Sequence, residues 1–284
     1  MARIDALSVF QTAASPTKAK LAEIYGEIIE NVRKNTISSQ LKNTRLSGDF
    51  AAGSVEANRI EMTDSKPYGT ARAAGKADKA TIKPVPVQFA NHRELLKEFE
   101  KFDIEKIGIV SLMQREATNL QFSMELELET AFFTQAVTDG TAVVPVATET
   151  IKKIDEVILA IETTKNAWVK GVPRPLMHVI CRPGIYQEIR DFIDTISNTN
   201  VDTTIEEFGK RHGVTYWSSV FLPAGIDFIV MVRESIAQPV RTSQYDGGGI
   251  PLSDATAEGF FFNYGCAAVM PDLIKYVSTP VVIP

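Results

Sequence analysis

The longest hydrophobic pattern in the chain runs from Ile109 to Asp139, a stretch without glycine or proline. Apolar residues recur there at intervals of three and four, which is the spacing of the buried face of an amphipathic helix. Within it, Met124–Glu129 alternates between apolar and acidic residues, a pattern typical of a strand. The longer period and the absence of helix breakers favour a single helix of about 45 Å. The following Asp139-Gly140 is predicted to end it.

Shorter patterns of both kinds occupy much of the remaining chain. Asn91 is a plausible cap for a helix over 92–102, with Leu95, Leu96 and Phe99 facing inward. Other helices are predicted over 18–34, over 150–168 and after Pro183-Gly184. Strands are predicted over 85–89, 175–181, 214–221, 226–232, 259–270 and 277–283. Helices and strands alternate without a regular βαβ repeat, which indicates an α+β chain.

Residues 47–83 do not fit a compact core. The stretch holds four glycines and few large apolar side chains. Residues 54–62 have the length of a strand, but both of its faces mix apolar and charged residues, unlike a strand packed on a core. We expect a two-stranded hairpin that stands away from its own core. Because an isolated hairpin is marginal in water, it needs a partner, which we expect to be another subunit.

Charge is distributed unevenly along a chain whose net charge is −5. Residues 1–46 carry 7 basic and 4 acidic groups, whereas residues 84–150 carry 5 basic and 11 acidic groups. The difference is compatible with ordinary solvated surfaces, or with one part of a chain docking on another part or on a neighbour. No apolar run has the length of a membrane span, and the N-terminus lacks the pattern of a secretory signal. Cys181 and Cys266 lie in apolar runs, which favours buried thiols in a reducing cytoplasm.

A search for catalytic and binding motifs gives no constellation that predicts an enzyme. His92, His178 and His212 are well separated and lack metal-ligand spacing. Gly69–Lys76 differs from a phosphate-binding loop in its glycine spacing and in Ala77, which stands where Ser or Thr would bind magnesium. There is no nucleophile elbow. We therefore predict no catalytic residue, no metal and no cofactor, and interpret Glu125, Glu127 and Glu129 as a charged helix face.

The chain resembles a group of tailed-bacteriophage major capsid proteins in short segments of residues 45–140, and in the order of elements that follows them. The segments are Ser47-Gly48-Asp49, Gly53-Ser54-Val55-Glu56-Ala57, Tyr68-Gly69-Thr70-Ala71-Arg72 and Ala74-Gly75-Lys76. The family has the Hong Kong 97-like fold. By this resemblance the chain has an N-terminal arm (1–46), an extended loop (47–83), a peripheral domain (84–149) with a spine helix (109–139), an axial domain (150–258) and a return to the peripheral domain (259–284).

The resemblance implies an icosahedral shell protein that encloses double-stranded DNA in a virion capsid, after assembly in the host cytoplasm. Its partners would be further copies of itself in pentamers and hexamers, scaffolding and portal proteins, and DNA held through non-specific phosphate contacts. The extended loop would lie across a neighbouring subunit. Candidate contact residues are Arg59, Lys66, Tyr68, Arg72 and Lys76 on the loop and Glu125, Glu127 and Glu129 on the spine helix.

Three further expectations belong to this interpretation. The arm is short, which favours a separate scaffolding protein over a cleaved scaffolding segment. No acceptor or assisting acid for a Lys–Asn cross-link can be placed, so we expect no covalent links between subunits. The alternatives are an encapsulin-like compartment that holds a cargo enzyme and, more remotely, a soluble cytoplasmic enzyme with an unrecognised site.

Overall fold

Helices and strands alternate along the chain in an irregular order. The computed structural model describes residues 16–48, 53–69, 80–195, 209–244, 248–250 and 253–279. The helices are α1 (Pro16–Asn35), α2 (Ile37–Leu41), α3 (Lys101–Ile107), α4 (Ile109–Asp139), α5 (Thr150–Glu162) and α6 (Pro183–Thr195). The strands are β1 (Leu46–Ser47), β2 (Ser54–Ile60), β3 (Ile82–Gln88), β4 (Asn91–Phe99), β5 (Thr141–Ala142), β6 (Met177–Cys181), β7 (Lys210–Arg211), β8 (Val214–Ser218), β9 (Ile226–Val232), β10 (Ile236–Ala237), β11 (Val240–Gln244), β12 (Gly248–Gly249), β13 (Thr256–Tyr264), β14 (Ala267–Ala268) and β15 (Ile274–Ser278).

Two units share these elements, and their boundaries differ from those of the five predicted segments. The first unit takes residues 1–40, 88–129 and 239–265. The second takes residues 41–87, 130–238 and 266–284, so the predicted return segment contributes to both. Among the described residues, no helix combines the length and the apolar character that crossing a membrane requires.

The first unit is built on the aromatic strand β13. Antiparallel neighbours lie on both of its edges, β11 and β12 on one side and β4 on the other. Phe260, Phe262 and Tyr264 of this strand are buried. Tyr25 from the apolar stripe of α1 meets the Phe260 ring edge-on at 5.5 Å between centroids. The helix predicted over 18–34 is confirmed.

The helix predicted over 92–102 is wrong, because residues Asn91–Phe99 form β4. This strand pairs with β13 at nine consecutive positions, from Asn91 opposite Tyr264 to Phe99 opposite Thr256. Leu96, expected on the inward helix face, is 41% exposed. Without β4, one backbone edge of β13 would lack hydrogen-bond partners. Pairing along that edge is a tertiary requirement, and it overrides the weak local preference of residues 91–99 for a helix.

The second unit holds a six-stranded sheet in the order β5-β15-β9-β6-β8-β7. Its neighbours are antiparallel except for the β6–β8 and β5–β15 pairs, which are parallel. The apolar sides of α5 and α6 pack on one face, where Val157, Ile161 and Ile189 meet Val179 and Phe228 in one core. Alternation along a strand sends neighbouring side chains such as Ile180 and Ile229 to the opposite face, where they are also fully buried.

Several predicted elements are confirmed at their boundaries. Helix α4 begins at Ile109 and ends at Asp139, as predicted for the long stripe. Gly140 follows it in a crowded position, since an added Cβ would lie 2.3 Å from the carbonyl oxygen of Ala136. Strand β9 has the predicted bounds Ile226–Val232. The helix predicted over 150–168 is shorter, because α5 ends at Glu162.

The described part of the extended loop belongs to the second unit. Strands β1, β2 and β3 form a small sheet in that order, so the predicted pair of strands gains a third. On β2, Val55 and Ala57 are buried while Glu56, Asn58 and Ile60 face outward. The loop therefore has one face that packs on its own chain and one that does not.

Candidate assembly surface

The outward face of the extended loop exposes large apolar side chains. Ile60 is 63% exposed, Met62 51% and Ile82 56%. The N–H of Glu61 donates to the carbonyl of Thr81 at 3.1 Å, so these side chains lie on neighbouring parts of the same small sheet. Clustered apolar side chains on a surface are typical of sites that bind another protein.

The predicted contact residues of the loop fall into three groups. Lys66 and Tyr68 lie on the surface, Tyr68 with 95% of its side chain exposed. Arg72 and Lys76 lie outside the described residues. Arg59 is on the inward face of β2 with Val55 and Ala57, and its side chain is only 11% exposed.

Arg59 binds within its own chain. Its two terminal nitrogens, Nη1 and Nη2, lie 2.7 and 2.8 Å from the two carboxylate oxygens of Asp272. The guanidinium also stands over the ring of Trp168, 5.4 Å from its centroid. This arrangement differs from the expected contact with a neighbouring subunit.

The three glutamates predicted as one charged face of α4 lie in three different environments. Residues two apart on a helix point to nearly opposite sides, so Glu127 diverges from Glu125 and Glu129. Glu125 accepts a hydrogen bond from Gln121 at 2.8 Å. Glu127 accepts from Arg93 Nε at 2.8 Å and from the hydroxyl of Tyr264. Burial and the Glu127 charge raise the pKa of Tyr264 to about 12.

Glu129 is the exception among them, because it is only 2% exposed. Its carboxylate accepts the backbone N–H of Ser38, at the start of α2, at 2.8 Å. The expectation that Glu129 belongs to an exposed charged face is therefore wrong. Burial raises the pKa of Glu129 to about 7, against the opposing effect of hydrogen bonds from Ser38 and Ile37.

His178, Cys181 and Cys266 are side chains of types that can carry catalysis. Trp217 Nε1 donates to His178 Nδ1 at 3.1 Å, and burial, then the charges of Arg233 and Lys210, lower the pKa of His178 to about 4. Cys181 and Cys266 are free thiols, and burial raises the pKa of both, that of Cys266 to about 12. Within the described part of the chain, no group of three His, Cys, Asp or Glu side chains is placed to bind a metal.

A shallow cleft of about 430 Å³ in the second unit has a mixed lining. Its Asp155 is paired with Arg211 at 2.5 Å, and its Arg174 forms a fork with Glu162 at 3.0 to 3.2 Å. In both ion pairs, the residue of the cleft wall and its partner belong to the second unit. Two of the charges that line this cleft, Asp155 and Arg174, are therefore already matched within the chain.

No family model matches the sequence, and a search of curated proteins finds no match. Solved structures do match. The capsid structure of the cyanophage P-SCSP1u superposes with a TM-score of 0.62 at 11% identity, covering 86% of this chain and 88% of that one. The chain has the Hong Kong 97-like fold.

Two other structures of this fold extend the comparison. The capsid of Ralstonia phage GP4 matches with a TM-score of 0.54 at 9% identity, over 80% of this chain and 83% of that one. The virus-like particle of Pyrococcus furiosus matches with a TM-score of 0.53 at 14% identity, over 90% and 98%. Strand β2 lies within the segment predicted as the extended loop (47–83), and α4 covers the residues predicted for the spine helix (109–139).

The sequence did not predict the groups that hold the loop against its own chain. These are Asp272, Asn166, Trp168 and the ion pair between Lys170 and Asp64. One signal was present, because Arg59 has the same parity on β2 as the apolar Val55 and Ala57. Asp272 lies 213 residues away, and nothing local indicates its role.

Proposed function

We propose that this chain is the major capsid protein of a tailed phage, which assembles with copies of itself into an icosahedral shell around double-stranded DNA. The observation that carries the proposal is the shared fold over most of the chain with the capsids of P-SCSP1u and Ralstonia phage GP4. The role is structural and involves no catalysis. The protein would act in the virion capsid, after assembly in the host cytoplasm.

The extended loop supports self-assembly. Ile60, Met62 and Ile82 are more than half exposed in the single chain, and burying them against a second copy removes apolar surface from water. A surface of this kind is costly to leave open in a protein that stays monomeric. Pentamers and hexamers of the shell would bury it at each subunit boundary.

Charged side chains would set the register of these contacts between subunits. Of the predicted residues, Lys66, Arg72 and Lys76 on the loop and Glu125 and Glu127 on α4 remain proposed contacts between subunits, with Glu127 already paired to Arg93 in its own chain. Arg59 and Glu129 are buried by partners inside the chain. An exposed ion pair contributes only about 0–1 kcal/mol. Its repetition around a closed ring would nevertheless favour one register of loop on helix.

The proposal is tested by negative-stain electron microscopy of the expressed full-length chain, alone and together with a scaffolding protein from the same genome. Rings or closed shells are the expected result. A small monodisperse species under both conditions would contradict it. Scaffolding and portal proteins are the further partners we propose, together with DNA bound through its phosphates.

An encapsulin-like compartment is the second candidate, favoured by the match to the virus-like particle of Pyrococcus furiosus. The two candidates differ in what the shell encloses. Nuclease-treated particles that retain double-stranded DNA favour the phage capsid. Particles of uniform small diameter that retain a co-purified protein and no nucleic acid favour the compartment.

A further inference from the structure

The root of the extended loop is fixed by a cluster of polar side chains that we call the root clamp: Arg59, Asp272, Asn166 and Trp168. Arg59 stands one residue before the end of β2 and carries the only charge on that strand's inward face. Its Nη2 donates to Oδ2 of Asp272 at 2.8 Å, and its Nη1 lies 2.7 Å from Oδ1 as an ion pair. A guanidinium with both terminal nitrogens beside one carboxylate is restricted in orientation as well as in distance.

The carboxylate of Asp272 is held from a second side. Asn166 Nδ2 donates to its Oδ2 at 2.7 Å. The Asn166 Oδ1 in turn accepts the backbone N–H groups of Trp168 and Val169 at 2.9 and 2.8 Å, which shapes the turn that carries the Trp168 ring. Burial opposes ionisation of Asp272, but the bonds from Arg59 and Asn166 keep its pKa below the ordinary value.

Two further contacts continue the attachment beyond β2. The N–H of Met62 donates to the carbonyl of Ala167 at 3.3 Å. Asp64 forms an ion pair with Lys170. Residues 59–64 therefore follow the turn at 166–170, and all of these groups belong to the second unit. The segment leaves β2 in a direction that the root clamp defines.

We propose that Arg59 and Asp272 are positioning residues, whose ion pair sets the direction of the extended loop and thereby places its apolar side chains on the neighbouring subunit. This inference rests on the proposed function. It assigns Arg59 a role inside the chain, where the sequence favoured a contact between chains. A loop of altered direction would meet its neighbour at a different angle, and an error repeated at each subunit boundary changes the curvature of the shell.

The first test uses the unassembled full-length protein and measures hydrogen exchange of peptides that cover residues 60–66. We expect exchange roughly tenfold faster in Asp272→Asn, because an ion pair with a charge-assisted hydrogen bond becomes a weaker bond to a neutral amide. Arg59→Lys keeps the charge but lacks the planar fork, and the same direction of change is expected. Asp103→Asn, an exposed position on α3, is the matched control and should leave this segment unchanged. Wild-type exchange in both clamp variants, with unchanged circular dichroism, would overturn the proposal.

The second test measures the diameters of assembled particles by electron microscopy. The expected result is a broad diameter distribution or open sheets for both clamp variants and uniform particles for Asp103→Asn. Fast loop exchange with wild-type particle diameters would overturn the role in assembly. If the wild-type chain forms no particles, the proposed function fails, while the exchange comparison still decides whether the root clamp holds the loop. If Asp272→Asn does not fold, Arg59→Lys alone decides both measurements.

Discussion

The buried carboxylate of Glu129 predicts a pH-dependent stability that can be worked out from its surroundings. Burial raises its pKa from 4.5 to about 7, the opposing bonds from Ser38 and Ile37 at the start of α2 are weaker, and the nearby charge of Glu125 adds to the rise. Between these two values the folded chain holds a proton that the unfolded chain has released. The free energy of unfolding therefore falls as the pH rises from about 4.5 to about 7.

Glu129→Gln removes this titration and keeps a carbonyl that can accept the N–H of Ser38. One pKa unit corresponds to about 1.4 kcal/mol, so a rise from 4.5 to about 7 is worth up to about 3 kcal/mol. The stability of the variant relative to wild type should therefore improve by that amount between about pH 4.5 and about pH 8. Taking the difference between two proteins cancels the other titrating groups.

The assay is urea unfolding of the unassembled chain followed by far-UV circular dichroism over this pH range. Glu105→Gln, at an exposed position on α3, is the matched control for replacing a glutamate by glutamine. A flat difference for Glu129→Gln would contradict this prediction, because it would mean that Glu129 titrates alike in the folded and unfolded chains. A difference of opposite sign would show that the Ser38 and Ile37 bonds outweigh the burial of the charge.

Three further predictions concern packing and assembly. Gly259→Ala should destabilise the chain by about 1–3 kcal/mol in the same urea unfolding assay, because the added Cβ would lie 2.0 Å from the carbonyl oxygen of Leu95. The control Gly209→Ala should be nearly neutral, because an added Cβ there has no neighbour within 4 Å. Phe132→Ala should lower the free energy of unfolding by about 3–5 kcal/mol, because this ring is fully buried. Phe102→Ala, at a 70% exposed site, should lower it far less. Equal losses of stability in the two variants would contradict this difference in burial. Arg72→Glu should impair particle formation and leave the circular dichroism of the monomer intact, and normal particles in electron micrographs would rule out Arg72 as a contact between subunits.

The spacing of apolar residues and the positions of helix-breaking residues were sufficient to predict the bounds of an element that is long or fully buried. Helix α4 could be bounded from its apolar spacing and from Asp139-Gly140, and β9 from an apolar run that only Asp227 interrupts. β4 could not, because its sequence carries a helical stripe and its strand conformation comes from the exposed edge of β13. No local pattern encodes a partner that lies more than 150 residues along the chain.

The candidate contact residues show a second limit. Sequence reasoning treats charged side chains as surface groups, which is the usual case. Arg59 and Glu129 are two exceptions, since each is buried by a partner that is remote in sequence. Because Arg59 alternates in step with Val55 and Ala57 along β2, the sequence could have placed it on their inward face. For Glu129, helix geometry shows that its side chain and that of Glu127 point to different sides of α4, but it does not show that Glu129 is buried.

The distribution of contacts also bears on what would drive assembly in the proposed shell. Arg59 and Glu129 are used inside the chain, so fewer charges remain to bind a neighbour. Fully burying a large apolar side chain is worth about 1.5–3 kcal/mol, so three that are each half exposed would contribute about 1 kcal/mol apiece. An exposed ion pair contributes about 0–1 kcal/mol and is screened by salt. In the proposed shell, Ile60, Met62 and Ile82 would therefore supply most of the affinity at each loop contact, while the remaining charges would select its register. On the proposal that the root clamp sets where those three side chains point, the geometry of the proposed shell would depend on an ion pair made within one chain.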